Sequence, residues 1–183
     1  MLIILDRDGV INAYEDGDYI CRPEDWIPLP GSIEAIARLS RAGHKVAVAT
    51  NQSGVGRGFY TEQTLAVMHD RLRELVQRSG GQIDHVAWCP HLPSEGCDCR
   101  KPGTGLLVQI RDALALDTLD GSWLVGDSRT DLEAGQKAGC QLALVRTGNG
   151  RNTEEGLKMA PLGTVDVFNS LSEFANAILQ RTD

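Results

Sequence analysis

The segment LIILDRDG, residues 2–9, decides the fold of this chain. Its first four residues form a continuous apolar run, which is typical of a strand buried on both faces in a parallel sheet. The run ends at Asp6, and the Asp8-Gly9 pair that follows favours a turn. Because side chains alternate along an extended chain, the carboxylates of Asp6 and Asp8 are expected to point the same way. The segment predicts a buried strand that delivers two acidic side chains to one edge of a sheet.

Strand and helix patterns alternate along the rest of the chain. Apolar runs predict five further strands, at residues 45–49, 83–88, 123–125, 142–145 and 165–168. Apolar residues at helical spacing predict helices at residues 31–42, 61–79, 106–114 and 132–138, and after Ser170. Residues 12–31 and 147–152 are rich in turn-forming residues and predict loops. The alternation predicts one α/β domain over residues 1–183, a three-layer Rossmann-like parallel sheet with helices on both faces. No inserted segment is large enough for a mobile cap, so we expect a capless enzyme.

Length, charge and composition limit the functions open to the chain. Its 183 residues suit a single domain, and 42% hydrophobic with 23% charged residues is an ordinary globular composition. A net charge of -7 and a pI of about 5.1 disfavour binding to nucleic acid or to anionic membranes. No apolar run reaches the length of a signal peptide or of a membrane span. We therefore expect a cytoplasmic monomer that acts on a small molecule.

Polar side chains follow the predicted strands at the points where ligands bind in parallel sheets. Asp6, Asp8, Thr50 and Asp127 lie at strand ends, and Lys101 follows the third strand. Each has a simpler reading when taken alone, since Asp-Arg-Asp could be only a turn and Lys101 only a solvated charge. Their joint occurrence at one edge of the sheet favours a catalytic site.

These residue types fit phosphoryl transfer through a covalent intermediate. Two carboxylates about 4 Å apart repel by roughly 1 kcal/mol in water and about 4 kcal/mol at an effective dielectric near 20, and Mg²⁺ would offset this. Asp6 could attack phosphorus while Asp8 moves protons, and Asp127 could complete the metal site. Thr50 and Lys101 could stabilise the phosphoryl oxygens. The pattern predicts a Mg²⁺-dependent phosphatase that forms an aspartyl phosphate.

A compact loop carries four possible metal ligands, Cys89, His91, Cys97 and Cys99. Three thiolates and one imidazole complete a tetrahedral Zn²⁺ site, and a closed four-ligand site is structural. The alternative is a group of reduced cysteines without metal. The chain has five cysteines, an odd number, and three of them are clustered, which argues against disulfides. Because the loop runs directly into Lys101, bound zinc would fix the reach of that lysine.

Four segments resemble the four signature motifs of the haloacid dehalogenase superfamily: LDRDGV at residues 5–10, TN at 50–51, KP at 101–102 and GD at 126–127. The resemblance implies Asp6 as the nucleophile and Asp8 as the general acid and base. It implies that Thr50 and Lys101 hold the phosphoryl group, and that Asp6, Asp8 and Asp127 bind Mg²⁺. An acid four residues beyond Asp127 often supports the metal in this superfamily, but Asp131 could equally be a helix N-terminal acid.

The zinc loop resembles a small branch of this superfamily that contains D-glycero-D-manno-heptose 1,7-bisphosphate 7-phosphatases and histidinol phosphatases. Residues 8–12, 50–58 and 144–148 resemble the heptose enzymes. That resemblance implies removal of the C7 phosphate of the heptose bisphosphate, in precursor synthesis for lipopolysaccharide core or surface glycans. The short segment between His91 and Cys97 is closer to histidinol phosphatases and keeps histidinol phosphate as the alternative. A non-catalytic phosphate-binding module is a third possibility.

A bisphosphate needs a second anion site besides the catalytic one. Arg100, beside Lys101, and Arg57, in a glycine-rich loop, are the candidates, although Arg57 could equally be a solvated charge. The remaining candidates for substrate contacts follow Thr50 or lie in a loop at residues 14–19 that could form a rim over the sugar: Asn51, Gln52, Ser53 and Tyr19.

Overall fold

A parallel sheet forms the centre of the computed structural model, which describes residues 1–15 and 17–181. The strands of this described part are β1 (Leu2–Leu5), β2 (Lys45–Asn51), β3 (His85–Cys89), β4 (Trp123–Gly126), β5 (Gln141–Val145) and β6 (Asp166–Phe168). Their spatial order is β3-β2-β1-β4-β5-β6, and every neighbouring pair is parallel. The chain order reverses at β1, between β2 and β4, and such switch points form crevices at the carboxyl ends of the strands.

Helices connect the strands and cover both faces of the sheet. They are α1 (Ser32–Arg41), α2 (Ser53–Gly56), α3 (Glu62–Arg78), α4 (Gly105–Ala113), α5 (Arg129–Lys137), α6 (Gly150–Met159) and α7 (Leu171–Gln180). Helices α3 and α7 are capped at their N-termini, since Thr61 accepts a hydrogen bond from the Thr64 amide and Ser170 accepts one from the Glu173 amide. No helix of the described residues is both long and apolar enough to cross a membrane.

The core divides into layers because the strands are buried on both faces. Ile3 and Leu5 belong to the apolar cluster that packs against α1, α3 and α7. Leu2 and Ile4, on the opposite face, belong to the cluster that packs against α4 and α5. This alternation along one strand produces the three-layer architecture, and the predicted fold class is confirmed.

One predicted loop is partly wrong. Residues 147–152 were expected to form a loop because of their glycines and asparagines, yet α6 begins at Gly150. A Cβ at Gly150 would lie 1.7 Å from the Val145 carbonyl oxygen, so glycine is needed where the helix starts against the end of β5. The helix is mostly polar and is tied to the sheet by an ion pair of 2.7 Å between Arg146 and Glu154. A helix with so weak an apolar pattern gives little periodic signal in the sequence.

Candidate active site

A cavity of about 350 Å³ lies at the carboxyl ends of β1, β2 and β4. Its walls come from the strand ends, from the described part of the loop at residues 14–20, and from Arg100 and Lys101. The predicted rim residue Tyr19 lines it, whereas Asp16 of the same loop lies outside the described residues. The switch point of the sheet has therefore brought many polar side chains to one edge, as the topology predicts.

Lys101 is buried among acidic side chains at the base of this cavity. Its ammonium nitrogen lies 2.8 Å from Oδ1 of Asp6 and 2.6 Å from Oδ1 of Asp131, and it donates to the Ala49 carbonyl at 2.7 Å. Only 2% of Lys101 is exposed. Burial alone would lower the pKa of Lys101, but the charges of Asp131 and Asp6 hold it above its ordinary value. The lysine is therefore a fixed positive charge beside the predicted nucleophile.

Three buried carboxylates meet around this lysine. Oxygens of Asp6, Asp127 and Asp131 all lie within 4.8 Å of one another. Burial and the Asp131 charge raise the pKa of Asp6, and burial with the charges of Asp6 and Asp131 raises the pKa of Asp127. One lysine cannot neutralise three carboxylates, so the cluster has an excess of negative charge and of oxygen donors. Such a donor set fits a hard divalent cation such as Mg²⁺.

The carboxylate of Asp8 is held apart from that cluster. Its Oδ1 accepts hydrogen bonds from Arg7 at 2.9 Å and from Asn12 at 2.9 Å, and its Oδ2 accepts one from Gln52 at 2.8 Å. Burial would raise the pKa of Asp8, but the Arg7 charge and these hydrogen bonds hold it below its ordinary value. Asp8 lines the cavity next to Asp6, whereas its predicted part in magnesium binding stays a prediction.

A buried histidine, His69, contacts the guanidinium of Arg7. The Arg7 guanidinium is 1% exposed and places Nη1 at 3.2 Å from Nε2 of His69 on α3. Since guanidinium can only donate, His69 must accept through an unprotonated nitrogen. Burial and the Arg7 charge lower the pKa of His69 to about 3, which keeps the ring neutral. Sequence reasoning assigned no role to either residue, although a charged residue between two site acids is a usable signal.

Both ends of the Asn51 side-chain amide contact the backbone of Lys101. Its Nδ2 donates to the Lys101 carbonyl at 3.1 Å, and its Oδ1 accepts from the Lys101 amide at 3.0 Å. Asn51 was predicted to bind substrate, and it also lines the cavity. Because both ends of its side-chain amide are hydrogen-bonded, Asn51 ties the segment that carries Lys101 to the end of β2.

The other predicted substrate contacts divide between the cavity and the surface. Ser53 and Tyr19 line the cavity, and their hydroxyl oxygens lie 3.3 Å apart. Arg100 also lines it, with Nη1 at 3.5 Å from the carbonyl of His91. Arg57 is not among the described lining residues, and its guanidinium lies 6.0 Å from the centre of the Tyr19 ring. Arg100 is therefore better placed than Arg57 to meet a second phosphate.

The four metal-ligand candidates of the loop come together as the sequence predicts. The three thiol sulfurs lie 2.8–3.6 Å from one another, and Nδ1 of His91 lies 3.1 Å from Cys99 and 3.4 Å from Cys89. A tetrahedral Zn²⁺ with Zn–S bonds near 2.3 Å has ligand–ligand edges of about 3.8 Å. The group of Cys89, His91, Cys97 and Cys99 could therefore hold such an ion.

Known proteins match the chain along almost its whole length. A family model described as HAD-hydrolase-like matches residues 98–174. A D-glycero-beta-D-manno-heptose-1,7-bisphosphate 7-phosphatase of Pseudomonas aeruginosa is 54% identical over 179 residues, which cover 98% of this chain and 98% of that protein. A protein of the same name from Neisseria meningitidis serogroup A is 44% identical over 181 residues, covering 98% of this chain and 95% of its own length.

A solved structure agrees with the sequence matches. The crystal structure of a D,D-heptose 1,7-bisphosphate phosphatase from B. bronchiseptica, complexed with magnesium and phosphate, has a TM-score of 0.91 and 44% identity. The match covers 98% of this chain and 98% of that one. Sequence and fold are thus both similar to those of relatives over nearly the full length of the chain. The chain belongs to the D-glycero-β-D-manno-heptose-1,7-bisphosphate 7-phosphatase family of HAD-like hydrolases, and it is a phosphatase.

Proposed function

We propose that this phosphatase removes the C7 phosphate of D-glycero-β-D-manno-heptose 1,7-bisphosphate and leaves the anomeric phosphate in place. The observation that supports this substrate is the pair of cationic side chains on the cavity wall. Among the described lining residues these are Lys101, buried against Asp6, and Arg100, next to it in the chain. One cation serves the phosphate under attack, and the other can meet a second phosphate at the mouth. The named substrate of the full-length relatives supports this assignment.

The reaction proceeds in two displacements at phosphorus. The Asp6 carboxylate attacks the C7 phosphate, the bond between phosphorus and O7 breaks, and Asp8 gives its proton to the sugar oxygen. Water then attacks the aspartyl phosphate and passes a proton to Asp8, which releases inorganic phosphate and restores Asp6. Both oxygens of Asp8 accept hydrogen bonds, Oδ1 from Arg7 and Asn12 and Oδ2 from Gln52. The same donors favour the carboxylate form, which is the form that deprotonates water.

Two metals are part of the proposal. Mg²⁺ would be held by Asp6, Asp127 and the predicted ligand Asp8, where it would offset the charge of the carboxylates and of the phosphate. Asp131 belongs to the same acidic cluster and also pairs with Lys101, so it can support both groups. Zn²⁺ would be held by the four-ligand loop in a structural role.

The cellular setting follows from the proposed substrate. The product, a heptose 1-phosphate, suits the synthesis of lipopolysaccharide-core or surface-glycan precursors. Such an activated-sugar precursor is a small anionic molecule, and a chain of net charge -7 with local cations at its cavity suits it better than a polyanion. A cytoplasmic location and a monomeric state complete the proposal.

Substrate choice is tested by comparing phosphate release from the heptose bisphosphate and from L-histidinol phosphate. We expect kcat/KM to be at least about 100-fold higher for the bisphosphate, because histidinol phosphate offers no second phosphate to Arg100. The comparisons do not favour the histidinol alternative. Equal or better use of histidinol phosphate would nevertheless make it correct, with the short segment between His91 and Cys97 as its signal.

Arg100→Ala is expected to raise KM for the bisphosphate by about 10- to 100-fold and to leave KM for p-nitrophenyl phosphate nearly unchanged. A charge-assisted bidentate contact to phosphate contributes about 1.5–3 kcal/mol, and p-nitrophenyl phosphate cannot make it. Steady-state kinetics with both substrates measure the difference. Arg73→Ala, an exposed arginine on α3, is the matched control. If Arg57→Ala rather than Arg100→Ala shows the selective rise, the second phosphate binds at the rim instead.

A further inference from the structure

The side chain of Gln52 joins the predicted general acid, the predicted phosphoryl-binding hydroxyl and a buried phenol. Its Nε2 lies 2.8 Å from Oδ2 of Asp8 and 2.8 Å from Oγ1 of Thr50. Its Oε1 lies 2.6 Å from the hydroxyl oxygen of Tyr60. Gln52, Thr50 and Tyr60 are all buried. Every polar atom of the glutamine side chain therefore has a partner, and the two ends of the amide have different kinds of partner.

Donor and acceptor rules fix the direction of each of these hydrogen bonds. The amide Nε2 can only donate, so both Asp8 and Thr50 accept from it. The amide Oε1 can only accept, so the Tyr60 hydroxyl donates to it, and burial raises the pKa of Tyr60 so that this proton stays in place. Within the described residues, Thr50 makes no other side-chain hydrogen bond, so its single hydroxyl proton remains to be donated.

We propose that Gln52 and Tyr60 are positioning residues for catalysis: Tyr60 fixes which end of the Gln52 amide faces Asp8, and Gln52 thereby reserves the Thr50 proton for the phosphoryl group. This inference rests on the proposed function, because that function assigns the phosphoryl group to Thr50. An amide turned by 180° would direct Oε1 at the Asp8 carboxylate and would take the Thr50 proton for itself. Tyr60 opposes that arrangement, since its buried hydroxyl proton would then lose the acceptor Oε1.

The turn after β2 is built to admit the Tyr60 ring. A Cβ at Gly54 would lie 2.2 Å from Cε1 of Tyr60, so the ring packs directly on a residue without a side chain. Tyr60 lies immediately before Thr61, the N-cap residue of α3. The chain thus brings a phenol into contact with the turn that follows Thr50, although Tyr60 contributes nothing to the acidic cluster.

The decisive comparison is between Gln52→Glu and Gln52→Ala. Glutamate keeps the shape of glutamine but turns the donor at Nε2 into an acceptor, which draws the Thr50 proton to itself. Alanine only removes the partner and leaves the Thr50 hydroxyl free to rotate. With p-nitrophenyl phosphate at saturation, we expect kcat to fall about 10-fold in Gln52→Ala and about 100-fold in Gln52→Glu, since one lost transition-state donor costs about 10²–10³. A purely structural role predicts the opposite order, because glutamate fills the space; that order would overturn the inference.

The same Gln52 substitutions made in a Thr50→Val protein distinguish capture of the Thr50 proton from simple charge repulsion. In Thr50→Val, no hydroxyl proton can be captured, so Gln52→Glu and Gln52→Ala are expected to have the same kcat within about threefold. A gap that persists in this background would mean that the new charge acts through Asp8 or on the phosphate, and the inference would be wrong. Thermal melting of each variant reports whether it is folded.

Tyr60→Phe keeps the ring and removes only the donor to Oε1, so it tests the inference even if the glutamine variants fail to fold. We expect kcat to fall about fivefold to tenfold with KM changed by less than twofold, and an unchanged kcat would overturn the role of Tyr60. If Asp6→Asn remains active, the proposed reaction is wrong; if Asp6→Asn is inactive while the order of the Gln52 variants is reversed, only this inference is wrong.

Discussion

Asp6→Asn is expected to lower kcat by at least about 10⁴-fold while the protein stays folded. The amide cannot attack phosphorus, and removing the nucleophile of a covalent mechanism typically costs 10⁴ or more. The fold tolerates the change because the Lys101 ammonium keeps its 2.6 Å contact with Asp131 and its bond to Ala49. Loss of one of three crowded carboxylates also relieves repulsion within the cluster. Phosphate release from the heptose bisphosphate and from p-nitrophenyl phosphate measures the effect.

Asp117→Asn is the matched control for this substitution. Asp117 is exposed and is not among the cavity-lining residues, so the same chemical change there should leave kcat within about twofold. Circular dichroism and thermal melting show whether Asp6→Asn is folded. More than about 1% of wild-type turnover in a folded Asp6→Asn protein would contradict nucleophilic attack by this residue.

The sheet could be predicted from the sequence because buried parallel strands are short continuous apolar runs. Each predicted strand is present, and the order of the strands then brings Asp6, Lys101 and Asp127 to one cavity. What connects these residues is topology, which the alternation of strands and helices already implies. Helix α6 escaped prediction because it begins at Gly150, packed against the end of β5, and is held by an ion pair, while few of its side chains are apolar.

Side-chain directions beyond the strand ends could not be predicted in the same way. The period-two rule places Asp6 and Asp8 on one side, but β1 ends at Leu5 and the chain has already turned at Asp8. Both acids line the cavity, yet the carboxylate of Asp8 binds Arg7 and Asn12, and Asp131 joins Asp6 in the acidic cluster. Such choices depend on which buried donors are within reach in three dimensions, and no local pattern encodes that.

Contacts between segments that are distant in the chain could not be predicted from the sequence either. Asn51 follows Thr50 in the chain and was expected to meet substrate, but its amide group binds the backbone of Lys101, 50 residues away. The backbone amide of Gln52 donates to the backbone carbonyl of Cys89 at 2.7 Å, and the backbone amide of Gly56 donates to the carbonyl of Pro90 at 3.1 Å. The segment after β2 and the cysteine-histidine loop therefore pack as one unit, which makes the loop part of the active site's framework.

The coupling between loop and site would give a metal in the loop a measurable role. Arg100 and Lys101 directly follow the predicted ligand Cys99, but they are held unequally. Two hydrogen bonds from Asn51 hold the backbone of Lys101, whereas Arg100 has one long contact of 3.5 Å to the carbonyl of His91. Loss of a metal from the loop should therefore loosen Arg100 more than Lys101.

Cys99→Ser is expected to reduce bound zinc from about one ion per chain to below about 0.1 and to lower kcat/KM for the heptose bisphosphate by about 10²- to 10³-fold. A serine hydroxyl does not ionise as a thiol does, so the closed site loses a ligand, and the binding energy that orders the loop is lost with it. Release of Arg100 accounts for about 10- to 100-fold, and imperfect placement of Lys101 for about 10-fold more. With p-nitrophenyl phosphate only the imperfect placement of Lys101 applies, so the loss of kcat/KM should be about 10-fold.

Elemental analysis of protein purified without added metal gives the stoichiometry of zinc. Cys21→Ser, which changes a cysteine outside the cluster, is the control that keeps its zinc. Wild-type enzyme that is fully active without bound zinc would show that the loop is not a metal site.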